Sequence, residues 1–218
     1  MRICQCWDDG TLDDIRLTEL LREHGATASF NLNPGVMRSE RYSGWKYQGT
    51  KEVWKLSKDE APAVYQGFDI ANHSLTHPHL TKLDDVQLVR EIREGKDQLE
   101  QWFGAAVPGF VYPFGDHDAR VMDAVRAAGH TYARTCNNAT DVIQVPDRMA
   151  QPSSRFHLAA DFWDEFERVR AADGVFYFWG HSYEFTSEAV WADFTAKLQR
   201  INATPGAQWV RLADVFAD

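Results

Sequence analysis

The chain has 218 residues, 44% hydrophobic and 13% aromatic, enough for one sizeable core, so a single domain across residues 1–218 is expected. Its 23 basic residues stand against 32 acidic ones, a net charge of -9 without any lysine- or arginine-rich run, which disfavours nucleic acid and anionic membrane surfaces as partners. No apolar stretch approaches a membrane span and the N-terminus lacks a leader pattern, so a soluble, cytoplasmic protein is expected.

In chain order, the apolar run around Cys4 and Cys6 reads as a first buried strand that stops at Asp8-Asp9-Gly10 and delivers two carboxylates to the rim of a sheet. Adjacent strand residues point to opposite sides, so the two aspartates are expected to differ in role, one binding a metal and the other free as a base. Taken alone, Asp-Asp-Gly is an ordinary polar turn. The three cysteines form no disulfide framework, and Cys4 and Cys6 suit a core. Residues 13–24 carry acidic residues in the first turn and helical apolar spacing, with Gly25 as a stop, and 26–33 alternate as a second strand. Residues 34–60 form a turn-rich insertion bearing Tyr42, Trp45, Tyr47 and Trp54, aromatics suited either to covering a barrel end or to stacking on sugar faces.

A third strand, Phe68 to Asn72, leads into His73 and His77. Imidazoles four residues apart share one face of a helical turn or tight loop and can reach one divalent cation together. Eight histidines occur in the chain, so the pair needs a third ligand to carry weight. Further along, 82–103 reads as a long amphipathic helix, 107–112 as a strand and 119–128 as a helix. Short strands follow at 131–135 and 155–158, then a helix at 160–172, a strand at 175–180, a helix at 187–201 and a last strand at 208–212. Seven or eight strands alternating with helices argue for a parallel sheet closed into a distorted barrel, with chemistry at the C-terminal ends of the strands. Asp8, Asp9, His73, His77, Pro113 and His181 all fall at such ends.

Four strings then carry a resemblance, in order and spanning nearly the whole chain: Trp7-Asp8-Asp9-Gly10, Asn72-His73-Ser74-Leu75-Thr76-His77-Pro78, Tyr112-Pro113-Phe114-Gly115, and Phe176-Tyr177-Phe178-Trp179-Gly180-His181. They resemble the motifs of the polysaccharide deacetylases, family 4 of the carbohydrate esterases, which contain the NodB homology domain. The resemblance implies an irregular (β/α)7 barrel that hydrolyses N-acetyl or O-acetyl groups on a sugar or polysaccharide. It implies Asp9, His73 and His77 as ligands of one divalent ion, zinc first, with cobalt, nickel or iron(II) as alternatives. Asp8 would be the general base, His181 the general acid and the Phe114 backbone N–H an oxyanion donor; Tyr112, Pro113 and Trp179 would line the substrate site. An acetylated amino sugar handled in the cytoplasm, as in surface-polysaccharide assembly, fits the missing leader.

Two departures stand out. Many family members carry an arginine two residues before the third-motif proline to orient the base, and Val111 stands there. The aspartate-rich Asp-x-x-Asp-Trp motif is not recognisable between residues 136 and 165. Arg155, at the start of an expected strand, is the candidate to orient Asp8. Glu184, three residues after His181, either fixes that imidazole or faces solvent. Two other classes stay open: a hydrolase of small ureide or cyclic-imide amides would keep much of the same constellation, whereas a non-catalytic sugar-binding barrel would keep the fold and the aromatic loop without needing base, acid and all three ligands together.

Overall fold

The computed structural model describes residues 1–143 and 145–215. Its elements run β1 (Arg2–Asp8), α1 (Asp14–Glu23), β2 (Ser29–Leu32), β3 (Tyr42–Tyr47), β4 (Lys51–Lys55), α2 (Ala61–Val64), β5 (Asp69–Asn72), α3 (Asp85–Phe103), β6 (Gly109–Val111), α4 (Ala119–Ala127), β7 (Tyr132–Asn138), β8 (Gln151–Ser153), β9 (Arg155–Phe156), α5 (Phe162–Ala171), β10 (Val175–Gly180), α6 (Glu188–Ala203), β11 (Gln208–Trp209) and α7 (Leu212–Val215). All pairings of the main sheet are parallel, in the order β8-β7-β6-β5-β2-β1-β10-β9, with β11 joining the start of β1. The two ends of that order, β8 and β9, are separated in the chain only by Ser154. Its N–H donates to the Tyr177 carbonyl on β10 at 2.6 Å and its Oγ accepts from the Tyr177 N–H at 3.0 Å, so the sheet closes on itself as a distorted barrel.

Alternation along β1 decides what faces where. Ile3 and Trp7 pack outward against Leu17, Leu21, Phe166, Phe194 and Leu198 of α1, α5 and α6, whereas Cys4 and Cys6 face Tyr132 and Tyr177 inside the barrel. Asp8, two residues after Cys6, therefore turns inward too, at the C-terminal mouth. On β7 the same rule sends Tyr132 and Arg134 inward and Ala133 outward to the cluster around Phe110 and Val121.

α3 illustrates how local signals set a helix. Asp84 caps it by accepting from the Gln87 N–H, and Gly104 ends it in the left-handed conformation that costs glycine little. Gly95 in its middle lies so close to the loop after β5 that a Cβ would come within 2.7 Å of Asn72 Oδ1 and 3.1 Å of the Leu75 nitrogen. That approach presses α3 against the loop that carries the two histidines.

Several boundaries differ from the sequence reading. The insertion at 34–60 contains an antiparallel hairpin, β3–β4, with a register shift between Ser43 and Trp45. The strand expected at 155–158 stops at Phe156, and the last strand stops at Trp209 before a short helix. Among the described residues no helix is long and apolar enough to cross a membrane.

Candidate active site

Asp8 closes β1 inside the barrel mouth, fully buried. Asn31 Nδ2, on the paired strand β2, donates to its Oδ1 at 2.6 Å, and the Arg134 guanidinium donates to its Oδ2. Burial pushes this carboxyl up, but Arg134 and the nearby His73 and His181 outweigh that and bring it down to about 2. Asp9 has already left the strand, at φ 82°. That positive φ swings its side chain to the same side as Asp8, and His181 Nε2 lies 3.9 Å from Asp8 Oδ2 and 4.0 Å from Asp9 Oδ2. The expectation that the two carboxylates point to opposite sides is thus overturned; partners, not direction, distinguish them.

His73 and His77 follow β5 on a loop that is held from three directions. Asn72 Nδ2 donates to the Ile92 carbonyl of α3 at 2.8 Å, the Thr76 N–H and hydroxyl donate to Glu91 at 2.8 and 2.7 Å, and Asn33 Nδ2 donates to the His73 carbonyl. Ser74 and His77 both take φ 64°. Together with Asp9 and Phe114, this rim gathers four non-glycine residues in a region that L-residues seldom occupy, a pattern that concentrates where surrounding structure fixes a site. His73 Nδ1 donates to the Val111 carbonyl at 2.7 Å, which leaves Nε2 free. Burial lowers the His73 pKa to about 4, so the ring is neutral and ready to ligate.

The side chains of Asp9, His73 and His77 each present one ligand atom, all within 4.8 Å of one another. Two imidazoles and one carboxylate with a mouth open to solvent suit a divalent ion that keeps free positions. Sequence reasoning missed Lys55. From β4 its ammonium donates to the Asp9 carbonyl and lies 4.0 Å from Asp9 Oδ1 and 5.1 Å from the Trp45 ring centre, so the inserted hairpin reaches the carboxylate directly.

His181 sits just past β10. Its Nδ1 donates to Glu184 Oε1 at 3.0 Å, which points Nε2 at the two aspartates. Burial lowers this pKa, but Glu184 and Asp8 raise it by more, for a net upward shift. Glu184 therefore faces the ring and not solvent. A cavity of about 430 Å³ opens beside the site, lined by Asp9, His77, Trp45, Lys55, Phe114 and Tyr183 among others. Phe114, at φ 59°, exposes its ring and stacks on His79 with centroids 4.1 Å apart. Three expected substrate contacts do not line this cavity. Tyr112 is buried with its hydroxyl donating to the Met149 carbonyl at 2.8 Å, Pro113 is buried beneath the rim, and Trp179 packs edge-on to His181 and under Arg134.

Arg155 is a correction. Its guanidinium is bound to Asp161 and Glu165, at 3.0 Å each, and to the Ser154 carbonyl at 2.6 Å, so it does not orient Asp8. Arg134 does so, and its position explains the departure at Val111. The two residues are direct partners in the β6–β7 register, so the cation that is absent at residue 111 is supplied from the adjacent place on the neighbouring strand. The signal was a lone arginine in an apolar strand, which requires a buried counter-charge.

Comparisons with known proteins come to the same architecture. Over 108 residues the chain is 25% identical to the uncharacterized protein YlxY of Bacillus subtilis, covering 50% of this chain and 29% of that protein. A family 4 carbohydrate esterase from Streptomyces lividans, solved with acetate, superposes with a TM-score of 0.60 at 16% identity, covering 95% of this chain and 91% of the other. A Streptococcus pyogenes deacetylase solved with acetate gives 0.52 at 19% identity, over 62% and 55%. At such identities the structural likeness speaks for the fold, and the chain spans only 29% and 55% of the YlxY and Streptococcus pyogenes proteins. The family model described as polysaccharide deacetylase matches residues 2–133, more than half of the 218 residues and including Asp8, Asp9, His73, His77 and Tyr112 to Gly115, and the chain belongs to that family of carbohydrate esterases.

Proposed function

We propose that the chain is one metal-dependent deacetylase domain that removes an acetyl group, from nitrogen or oxygen, on a sugar or polysaccharide. The observation that carries this reading is the convergence of both aspartates on His181, whose Nε2 lies 3.9 Å from Asp8 and 4.0 Å from Asp9, beside His73 and His77. Asp9, His73 and His77 would hold a divalent ion, zinc by preference for this nitrogen and oxygen donor set. When bound, such an ion polarises an acyl carbonyl and makes water a better acid.

The residues divide the remaining work. Asp8 is kept ionised by Arg134 and takes a proton from the attacking water. His181, protonated on Nε2 and fixed through Nδ1 by Glu184, returns a proton to the leaving nitrogen or oxygen as the bond to the acyl carbon breaks. The Phe114 N–H is the candidate donor to the developing oxyanion, and the Phe114, Trp45 and Tyr183 rings offer flat faces to a pyranose. The products are acetate and the free amine or hydroxyl. The test is acetate release from N-acetylglucosamine oligomers and from simple acetate esters, with and without a zinc chelator. Release that the chelator abolishes and added zinc restores supports the reading. No release from either class, with release from ureides or cyclic imides, would replace it with the small-amide alternative.

A further inference from the structure

Glu184 has a second imidazole partner. His157 Nε2 lies 2.8 Å from Glu184 Oε2, the same oxygen that accepts the His181 N–H at 2.9 Å, while Oε1 serves His181 Nδ1. A carboxylate only accepts, so His157 carries its proton on Nε2. Its Nδ1 is buried without a partner among the described residues, which is tolerable for a bare acceptor and costly for an N–H. Burial also lowers the His157 pKa, in keeping with a neutral ring.

His157 is wholly buried, and its ring is walled in by Trp7, Phe156 and Phe185 with centroids at 5.0, 5.0 and 5.1 Å. Its own N–H donates to the Trp179 carbonyl at 2.8 Å, and Lys197 Nζ donates to its carbonyl at 2.8 Å. A Cβ on Gly180 would fall 2.3 Å from His157 Cδ2, so the residue before His181 must be glycine for the imidazole to seat there. An immobile neutral donor therefore backs the carboxylate that in turn backs His181.

We infer that His157 is a positioning residue for the reaction, acting through Glu184 to hold His181 with Nε2 facing the aspartates. The inference rests on the acid role proposed for His181. It needs no charge on His157: with one Glu184 oxygen pinned by a fixed donor, the other cannot rotate away from His181 Nδ1.

The test compares His157→Phe, which fills the aromatic pocket without a donor, with His157→Gln, whose amide can donate to Glu184. His157→Phe is expected to lower kcat about tenfold with KM and metal content unchanged, the usual scale for one lost buried hydrogen bond, and His157→Gln to recover most of it. A kcat in His157→Phe equal to wild type, or equal losses in both variants, would overturn the inference. Imidazole N–H proton resonances give a readout independent of turnover. Wild type should show slowly exchanging signals from both His157 Nε2 and His181 Nδ1, the latter kept in His157→Gln and broadened in His157→Phe. Absence of either signal in wild type contradicts the proposal even where a variant fails to fold. If wild type releases no acetate while the resonances behave as expected, the deacetylase reading fails and the positioning of His181 stands.

Discussion

The two sides of the site, that of Asp8, the proposed base, and that of His181, the proposed acid, are built by different means. Asp8 lies at the end of a strand in the barrel mouth, and both groups that hold it, Asn31 and Arg134, also project from strands. His181 lies past a strand end, and the carboxylate that holds it is three residues further on, in the same turn. Asp8, the proposed base, is thus fixed by sheet register and a buried ion pair, and His181, the proposed acid, by a local turn with His157 behind its carboxylate. A buried ion pair is costly to break because the survivor is left charged and unpaired, whereas a turn contact to an imidazole that is 19% exposed yields more gently. Damage on the base side is therefore expected to reach folding as well as chemistry, and damage on the acid side chiefly chemistry.

The largest effect expected is on turnover from Asp8→Asn, a loss of roughly 10²-fold or more with the metal retained. Arg134→Met should follow, destabilising the fold by about 3–5 kcal/mol in urea titrations by stranding the Asp8 carboxylate, and lowering turnover with it. A urea midpoint equal to that of wild type would show that the Asp8 side is no more tied to folding than the His181 side. Glu184→Gln should cost about tenfold in kcat with little change in stability. It also sharpens the comparison through pH. The folded His181 pKa is raised above 6.5, so the protonated acid is present below that and lost as pH rises through the folded value. Removing the Glu184 charge lowers that value, so the alkaline fall in kcat/KM should move to lower pH; a profile that stays in place would detach Glu184 from the acid. The smallest effect belongs to Arg155→Lys, which should leave turnover unchanged and cost about 1 kcal/mol or less, because Arg168 also holds Glu165.

The same contrast explains what could be read from the sequence. The Asp8-Asp9 pair, the histidines four residues apart and Glu184 next to His181 are local patterns, visible because the chain itself brings them together. Arg134 is separated from Asp8 by 126 positions, and only the β6–β7 register sets it across from Val111. Without that register, Arg155 was as reasonable a candidate, since both arginines sit on short strands after the third motif. Lys55 was hidden for a related reason. The aromatic and glycine content of residues 34–60 pointed to loops, yet Lys51–Lys55 pairs with β3 as a strand, and that strand carries the ammonium to Asp9. Alternation alone sets the two aspartates on opposite sides, but the period of two holds only while the strand continues, and it ends at Asp8.

The division of labour between two adjacent aspartates is the centre of the account, and metal content tests it most directly. Wild type, Asp8→Asn and His77→Ala would be loaded with zinc, dialysed against buffer and analysed for metal per chain. One equivalent is expected in wild type and in Asp8→Asn, and little in His77→Ala. Equal metal in all three proteins, or loss of metal in Asp8→Asn with retention in His77→Ala, would contradict it.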